Sequence, residues 1–255
     1  MKMLEVKKLS KSFGGLSAVT DLDFDISDSE ILGVIGPNRA GKTTLFNVIS
    51  GFHRPTSGEV IFNGQDITGL KAHQVAHTGI SRTFQASNLF MSLSVLDNVF
   101  TCQHMSYRTT LWERFFHTPS ALEEEKRLRQ GTREILEFMG LDSLRDEIAA
   151  QLTHGQQKTL GICMALATSP KLLLLDEPVT GMNPAEIQTM VHLIGRMRNR
   201  GITIAIVEHN MQAVMNLCDR IIVLNHGEKI AEGSHEEIIE NQEVIEAYLG
   251  EDEEE

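Results

Sequence analysis

Residues 36–44 read Gly36-Pro37-Asn38-Arg39-Ala40-Gly41-Lys42-Thr43-Thr44 and match the phosphate-loop pattern G-x-x-x-x-G-K-[ST] at every fixed position. The apolar run Ile31–Ile35 before this loop predicts a buried strand, and Leu45–Ile49 after it predicts a helix. In that context, loop N–H groups and the positive end of the helix can surround the phosphates of a nucleotide. Lys42 adds a positive charge, and the Thr43 hydroxyl can ligate Mg²⁺. The stretch therefore predicts a nucleotide-binding site with Mg²⁺.

Composition favours a globular protein without a nucleic-acid-binding surface. The chain has 255 residues, of which 41% are hydrophobic and 23% charged, as in ordinary globular domains. Its formal net charge is −12, whereas nucleic-acid surfaces need clustered lysine and arginine. Apolar runs such as Ile202–Val207, which is broken only by Thr203, and Leu172–Leu175 are far too short to cross a bilayer, and the N-terminus lacks the apolar core of a signal peptide. Cys102, Cys163 and Cys218 have no metal-binding spacing, so we expect partly or fully buried thiols in a reducing compartment.

Strand-like and helix-like segments alternate along most of the chain. This alternation predicts an α/β fold, a phosphate-loop NTPase core with a mixed sheet flanked by helices. Residues 4–26 instead predict three short strands around a turn at Gly14-Gly15. The three strands are Leu4–Leu9, Ala18–Val19 and Leu22–Ile26. With residues 58–64 they predict an antiparallel β layer beside the phosphate loop.

Residues 92–152 lack a convincing strand pattern and predict an inserted all-helical subdomain. Ser94 is a predicted helix N-cap, and a second helix is predicted over Ala121–Met139, between Ser120 and Gly140. The chain is expected to form a single domain over residues 1–250. Its parts are the α/β core at 1–91 and 153–234, the helical subdomain at 92–152 and short helices at 235–250. The acidic tail at 251–255 follows the domain and is expected to be disordered.

A second motif consists of two acidic residues, Asp176 and Glu177, directly after the apolar run Leu172–Leu175. A buried strand can hold carboxylates at its carboxyl end, beside a phosphate loop on a neighbouring strand. Asp176 is then expected to reach Mg²⁺ through water, and Glu177 to polarise the attacking water near the γ-phosphate. The simpler interpretation, a strand followed by an acidic turn, is disfavoured by the phosphate loop upstream.

With these motifs, nearly all of residues 3–250 resemble the ATP-binding subunit of an ATP-binding-cassette (ABC) transporter. The resemblance rests on the order of motifs along the chain. They are the phosphate loop at 36–44, Gln85 after Arg82-Thr83-Phe84, Leu152-Thr153-His154-Gly155-Gln156, the Asp176-Glu177 strand, and Val207-Glu208-His209. The third of them lies where this family has its Leu-Ser-Gly-Gly-Gln signature.

The resemblance implies two cassettes in a head-to-tail dimer that enclose two ATP molecules. Thr153, His154, Gly155 and Gln156 would bind the γ-phosphate held by the facing subunit, since a helix N-terminus is an anion site. The resemblance also implies that Gln85 contacts Mg²⁺ and the attacking water, and that His209 holds the γ-phosphate and orients Glu177. Phe13 matches the position of an aromatic ring stacked on adenine, although a phenylalanine in a β layer is also a common core residue.

Within the family, the chain is most similar to cassettes of branched-chain amino-acid importers. Segments 45–52, 79–85, 208–211 and 247–250 carry this likeness. Related importers of urea or short amides look similar at 152–156 and 177–182. The transported solute is therefore either a branched-chain amino acid or urea or a short amide. The resemblance implies separate membrane permease subunits, a solute-binding protein outside the membrane, a second cassette that is the same or different, and a place at the cytoplasmic face of the membrane.

Two other classes of function are alternatives to a transporter subunit. Non-transport cassette ATPases usually carry two cassettes or a long coiled coil, which this sequence lacks. A small-molecule kinase would share the phosphate loop but not His209 or the segment Thr153–Gln156. A transporter subunit must also contact its permease. The helical subdomain contains three aromatic residues that either form a local core or face the permease, namely Trp112, Phe115 and Phe116.

Three positions depart from the family pattern. Arg39 replaces a glycine in the phosphate loop, where a positive φ would strain its backbone. Its side chain either adds a positive charge near the phosphates or points to solvent. We expect Arg39 to slow or alter ATP turnover without preventing binding. His154 replaces the first glycine of the signature. Asn183 stands where many cassettes have aspartate and keeps its hydrogen bonding without its charge.

Overall fold

The structure is a computed structural model that describes residues 1–83, 89–103 and 109–249. It contains two compact units: Met1–Arg82 with Lys171–Glu255, and Thr83–Pro170. These limits differ from the sequence-based limits at 92 and 152. Residues 153–170, assigned to the α/β core from the sequence, lie in the second unit because their helix packs against the other helices of that unit.

The described residues form ten strands and ten α-helices. The strands are β1 (Lys2–Phe13), β2 (Leu16–Ser27), β3 (Ile31–Ile35), β4 (Ser57–Phe62), β5 (Gln65–Asp66), β6 (Ile80–Arg82), β7 (Leu172–Asp176), β8 (Thr203–Val207), β9 (Arg220–Asn225) and β10 (Glu228–Gly233). The helices are α1 (Lys42–Ile49), α2 (Ala72–Thr78), α3 (Val95–Thr101), α4 (Leu111–Phe115), α5 (Pro119–Met139), α6 (His154–Leu166), α7 (Pro184–Asn199), α8 (Met211–Leu217), α9 (His235–Ile239) and α10 (Gln242–Leu249). Among the helices described, none is long and apolar enough to cross a membrane.

The first unit contains the predicted antiparallel β layer, with strand order β2-β1-β4-β5. β1 and β2 are each twelve residues long, so the prediction of short separate strands was wrong. Lys8 and Asp21 have positive φ angles of 44° and 47°, and the β1–β2 register shifts between Val6 and Leu9. These irregularities break the alternation of apolar and polar residues that a sequence pattern detects, and the continuous hairpin was missed.

The second sheet of this unit has the order β10-β9-β3-β8-β7-β6 and is parallel except for the edge strand β10. β3, β7 and β8 are buried at every residue, as expected for parallel strands covered on both faces. Their carboxyl ends lie at one edge of the sheet. The phosphate loop follows β3, Glu177 follows β7 and Glu208 follows β8, so the topology brings three candidate segments to the same edge.

The second unit is helical, and α3, α5 and α6 pack on one another within it. The Ser94 hydroxyl accepts a hydrogen bond from the Asp97 N–H group, which confirms the predicted N-cap of α3. α5 begins at Pro119, with the Thr118 hydroxyl as its N-cap, so the predicted start after Ser120 was wrong. Proline at the first helical position explains this start, because it needs no N–H partner there. Gly140 ends α5 with a φ of 76°, as predicted.

Candidate active site

The phosphate loop has the strand–loop–helix context predicted for it and is shaped by two glycines. Gly36 has a φ of 143°, and a Cβ atom there would lie 2.0 Å from the carbonyl oxygen of Leu224. Gly41 has a φ of 101°, and a Cβ atom there would lie 2.4 Å from the carbonyl oxygen of Ala18. Both positions therefore exclude any side chain, and the backbone forms a compact cradle before α1.

Lys42, the first residue of α1, places its charge inside this cradle. Its side chain is buried, and Nζ donates hydrogen bonds to the carbonyl oxygens of Gly36 and Pro37 at 2.7 and 2.6 Å. Gly41, at the N-cap, supplies no side-chain acceptor to the first turn, which also contains no acidic residue. The positive end of the helix, the ammonium group and the loop amides together fit a phosphate chain. Thr43, next in the helix and exposed, offers a hydroxyl oxygen of the type that Mg²⁺ prefers.

Arg39 adopts the left-handed conformation that its replacement of glycine predicted. Its φ is 62° and its side chain is exposed. This conformation costs a non-glycine residue about 1–2 kcal/mol. The arginine therefore introduces local backbone strain at the mouth of the phosphate loop, while Asn38 beside it is also exposed and Ala40 is buried.

Asp176 ends β7 as predicted, and it is joined by an arginine that the sequence analysis did not assign to the site. Arg82 Nη2 lies 2.7 Å from Asp176 Oδ2, and both side chains are almost fully buried. Arg82 Nη1 donates to Asn47 Oδ1 at 2.7 Å and lies 3.3 Å from Ser50 Oγ, both in or directly after α1. One guanidinium group thus connects the phosphate-loop helix to the candidate metal-binding carboxylate. A charged residue at the end of a buried strand was the signal that could have identified it.

Glu177 and His209 lie together, as their predicted roles require. His209 Nε2 is 3.3 Å from Glu177 Oε1, and the histidine side chain is 40% exposed whereas that of the glutamate is 14% exposed. Glu177 has a φ of 49°, a strained conformation for a non-glycine residue. Its N–H group donates to the carbonyl oxygen of Val207 at 2.9 Å, and its Oε2 lies 3.3 Å from the Thr180 hydroxyl. The backbone thus presents one carboxylate beside one imidazole, a pair suited to orienting water.

Glu208, between Val207 and His209, is a buried acid that the sequence analysis quoted but gave no role. Only 1% of its surface is exposed. Its Oε1 accepts the N–H of Val179 at 2.8 Å, and its Oε2 accepts those of His209 and Asn210 at 3.0 and 3.2 Å. An acid directly after a largely apolar strand was the available signal in the sequence.

Phe13 lies at the end of β1 and is 44% exposed, so it is not a core residue. Its ring packs edge-on against His53, with ring centres 5.2 Å apart, and Lys11 Nζ lies 4.7 Å from its centre. A partly exposed ring with polar and cationic neighbours is compatible with stacking on a flat base.

In the second unit, Thr153 and Gln156 form a reciprocal cap at the start of α6. The Thr153 hydroxyl accepts the Gln156 N–H at 3.3 Å, and Gln156 Oε1 accepts the Thr153 N–H at 2.9 Å. α6 begins at His154, directly after Thr153, so the segment Thr153–Gln156 lies at a helix N-terminus as predicted. The capping-box spacing of Thr153 and Gln156 explains this start. Thr153 and His154 are exposed and Gly155 is buried, and Gln85 lies outside the described residues.

Asn183 is the N-cap of α7. Its Oδ1 accepts the N–H groups of Ala185 and Glu186, both at 3.0 Å. Asparagine caps helices about as well as aspartate, so the departure from the family pattern preserves this local structure.

The parallel core and the strand–loop–helix cradle define a phosphate-loop nucleoside triphosphatase. A profile described as "ABC transporter" matches residues 19–180, and one described as "Branched-chain amino acid ATP-binding cassette transporter" matches residues 228–254. The chain therefore belongs to the ABC transporter family, whose ATP-binding subunits are ATPases.

The chain is similar to curated transport proteins over nearly their whole length. BraF of Pseudomonas aeruginosa, a "High-affinity branched-chain amino acid transport ATP-binding protein", is 38% identical over 98% of both chains. LivG of Escherichia coli K12, with the same description, is 39% identical over 98% of both chains. An ABC transporter cassette solved in its ADP conformation has a TM-score of 0.86 at 31% identity, covering 98% of this chain and 99% of that one. A dimeric bacterial cassette has a TM-score of 0.77 at 26% identity, covering 91% and 98%.

Proposed function

We propose that this ABC ATPase drives the uptake of branched-chain amino acids through separate membrane permease subunits. The observation that carries the proposal is the similarity along nearly the whole chain to BraF and LivG, together with the match of residues 228–254 to the branched-chain profile. These relatives favour branched-chain amino acids over urea or short amides. The subunit itself does not bind the solute, which a solute-binding protein would deliver to the permease.

In the proposed site, residues 36–44 bind the phosphates of ATP and Phe13 stacks on its adenine. Thr43 and Asp176, with Gln85, would hold Mg²⁺, which when bound neutralises charge on the phosphates. Glu177 accepts a proton from the attacking water. His209, which lies 3.3 Å from the Glu177 carboxylate, orients Glu177 and contacts the γ-phosphate.

The complete site is proposed to need a second cassette. Residues Thr153–Gln156 of one subunit would face the phosphate loop of the other, in a homodimer or a heterodimer. The start of α6 supports this role because Thr153 and His154 are exposed there, at the positive end of a helix. The similarity to a cassette solved as a dimer adds support.

The second unit is proposed to contact the permease, which would hold the chain at the cytoplasmic face of the membrane. Trp112, Phe115 and Phe116 are 73%, 72% and 68% exposed. Their rings pack on one another, with centres 5.2 to 6.4 Å apart. An exposed aromatic cluster of this kind is typical of protein interfaces, so it supports the interpretation that these residues face a partner.

The test is to isolate the tagged chain from detergent-solubilised membranes and to reconstitute what accompanies it into proteoliposomes containing ATP. We expect hydrophobic permease subunits, and uptake of labelled leucine that valine and isoleucine inhibit and urea does not. Lys42→Ala is the matched control, because it removes a phosphate contact and should retain assembly without uptake. Uptake of urea instead of leucine would overturn the proposed solute, and the absence of any membrane partner would favour a non-transport ATPase.

A further inference from the structure

One buried carboxylate connects the two segments that carry the candidate catalytic side chains. Glu208 follows β8, and its Oε1 accepts the N–H of Val179, which lies two residues after Glu177. Its Oε2 accepts the N–H groups of His209 and Asn210. The same side chain therefore fixes the segment after β7 and the segment after β8.

The strand ladder alone does not fix these segments. Paired residues of β7 and β8 end at Asp176 and Val207, and the hydrogen bond from the Glu177 N–H to the Val207 carbonyl is directly beyond them. Past this point, the Glu208 carboxylate connects the backbones of the two segments. The hydrogen bonds of Glu208 therefore lie close to both candidate catalytic residues: Val179 is two residues after Glu177, and His209 is itself one of the donors.

A carboxylate is suited to this place because it only accepts hydrogen bonds. Val179 donates to one oxygen, and two backbone N–H groups donate to the other. Glutamine would present an NH₂ group to one of these two sets of donors. The arrangement thus uses the chemistry that distinguishes a carboxylate from an amide of nearly the same shape.

We infer that Glu208 is a positioning residue for ATP hydrolysis, which holds Glu177 and His209 at the separation at which they act together. The inference rests on the proposed roles of Glu177 and His209. Glu208 is enclosed by backbone N–H groups and is 1% exposed, so it acts through the two residues and does not contact the reacting atoms.

The test is the rate of ATP hydrolysis by the purified full chain carrying Glu208→Gln. We expect kcat to fall by about 10- to 100-fold, the scale of a displacement of roughly 1 Å in a catalytic group. ATP affinity, measured with a fluorescent ATP analogue, should change by less than about twofold, because the phosphate loop is intact. Glu30→Gln is the matched control. Glu30 is also a largely buried carboxylate that accepts a backbone N–H, from Ser27 at 2.6 Å, and it pairs in addition with Arg220 Nε at 2.8 Å. It precedes β3 at the opposite end of the sheet from Glu208.

A double substitution separates positioning from a general effect on folding. In the His209→Ala background, Glu208→Gln should lower kcat by less than about threefold, because the pair that it positions is already broken. Equal fold-losses in both backgrounds would overturn the inference. Glu208→Asp, which keeps the charge but shortens the reach, should lower kcat while the protein remains folded. If both variants at this position fail to fold, Glu208 is a stability residue and the inference is wrong.

The result also distinguishes this inference from the proposed function. If Glu177→Gln and His209→Ala retain full hydrolysis, the proposed catalytic roles fail. If those two variants lose hydrolysis and Glu208→Gln does not, only the positioning role fails.

Discussion

Replacing Arg82 by methionine would leave the Asp176 carboxylate buried without its guanidinium partner. The two groups are 2.7 Å apart, with 4% and 2% of their side chains exposed. Arg82 also donates to Asn47 Oδ1, so the substitution removes a connection between β6, β7 and α1. Methionine fills a similar volume, which limits the contribution of a cavity to the measured loss.

The expected cost of Arg82→Met is about 3–5 kcal/mol in the free energy of unfolding, the range for removing one partner of a buried ion pair. For a protein of this size, that corresponds to a decrease of roughly 6–20 °C in the unfolding temperature. The control is Arg198→Met. Arg198 pairs with Asp219 at 3.0 Å, but 42% and 40% of these side chains are exposed, so its loss should cost about 1 kcal/mol or less.

Thermal and urea unfolding of both variants measures the difference, and a double-mutant cycle isolates the pair. Arg82→Met combined with Asp176→Asn should cost less than the sum of the two single substitutions, because the double variant has no unpaired charge. A decrease for Arg82→Met no larger than that for Arg198→Met would refute the argument. So would strict additivity in the cycle.

Three further predictions concern the phosphate loop and the thiols. Arg39→Gly should stabilise the protein by up to about 1 kcal/mol in urea unfolding by relieving a positive φ, and an unchanged ATP turnover would exclude an effect of Arg39 on catalysis. Gly36→Ala should weaken binding of a fluorescent ATP analogue by at least about tenfold, because its Cβ would overlap the Leu224 carbonyl oxygen; unchanged affinity would contradict the loop geometry. Burial raises the pKa of Cys218 to about 12 and raises the pKa of Cys163, so at pH 8 both should react with a thiol reagent only after unfolding, and rapid reaction of the native protein would be inconsistent with their burial.

The elements that the sequence predicted best are those whose signal is local. The glycines and lysine of residues 36–44 define their own backbone geometry, and Leu172–Asp176 is an uninterrupted apolar run ending in an acid. The cysteines, predicted as partly or fully buried, are intermediate or buried. The strained φ of Arg39 was also predictable, because the glycine pattern at that position implies a conformation that arginine adopts only at a cost.

Features that depend on pairing across the fold were not predicted. Arg82 contacts Asp176 across 94 positions of sequence, and Glu208 contacts Val179 across 29. Neither contact can be inferred before the order β8-β7-β6 is known. The long β1–β2 hairpin was missed for a different reason, because residues such as Lys8 with positive φ interrupt its alternation.

The central claim is that this cassette hydrolyses ATP through Glu177 at a site whose phosphate loop binds the nucleotide independently. The most direct measurement compares ATP hydrolysis and ATP affinity in the unmodified chain and in Glu177→Gln. The predicted result is a decrease in kcat of about 10²- to 10⁴-fold, the contribution of a general base, with nearly unchanged affinity and accumulation of an ATP-bound dimer. Hydrolysis by Glu177→Gln at the unmodified rate would contradict the claim.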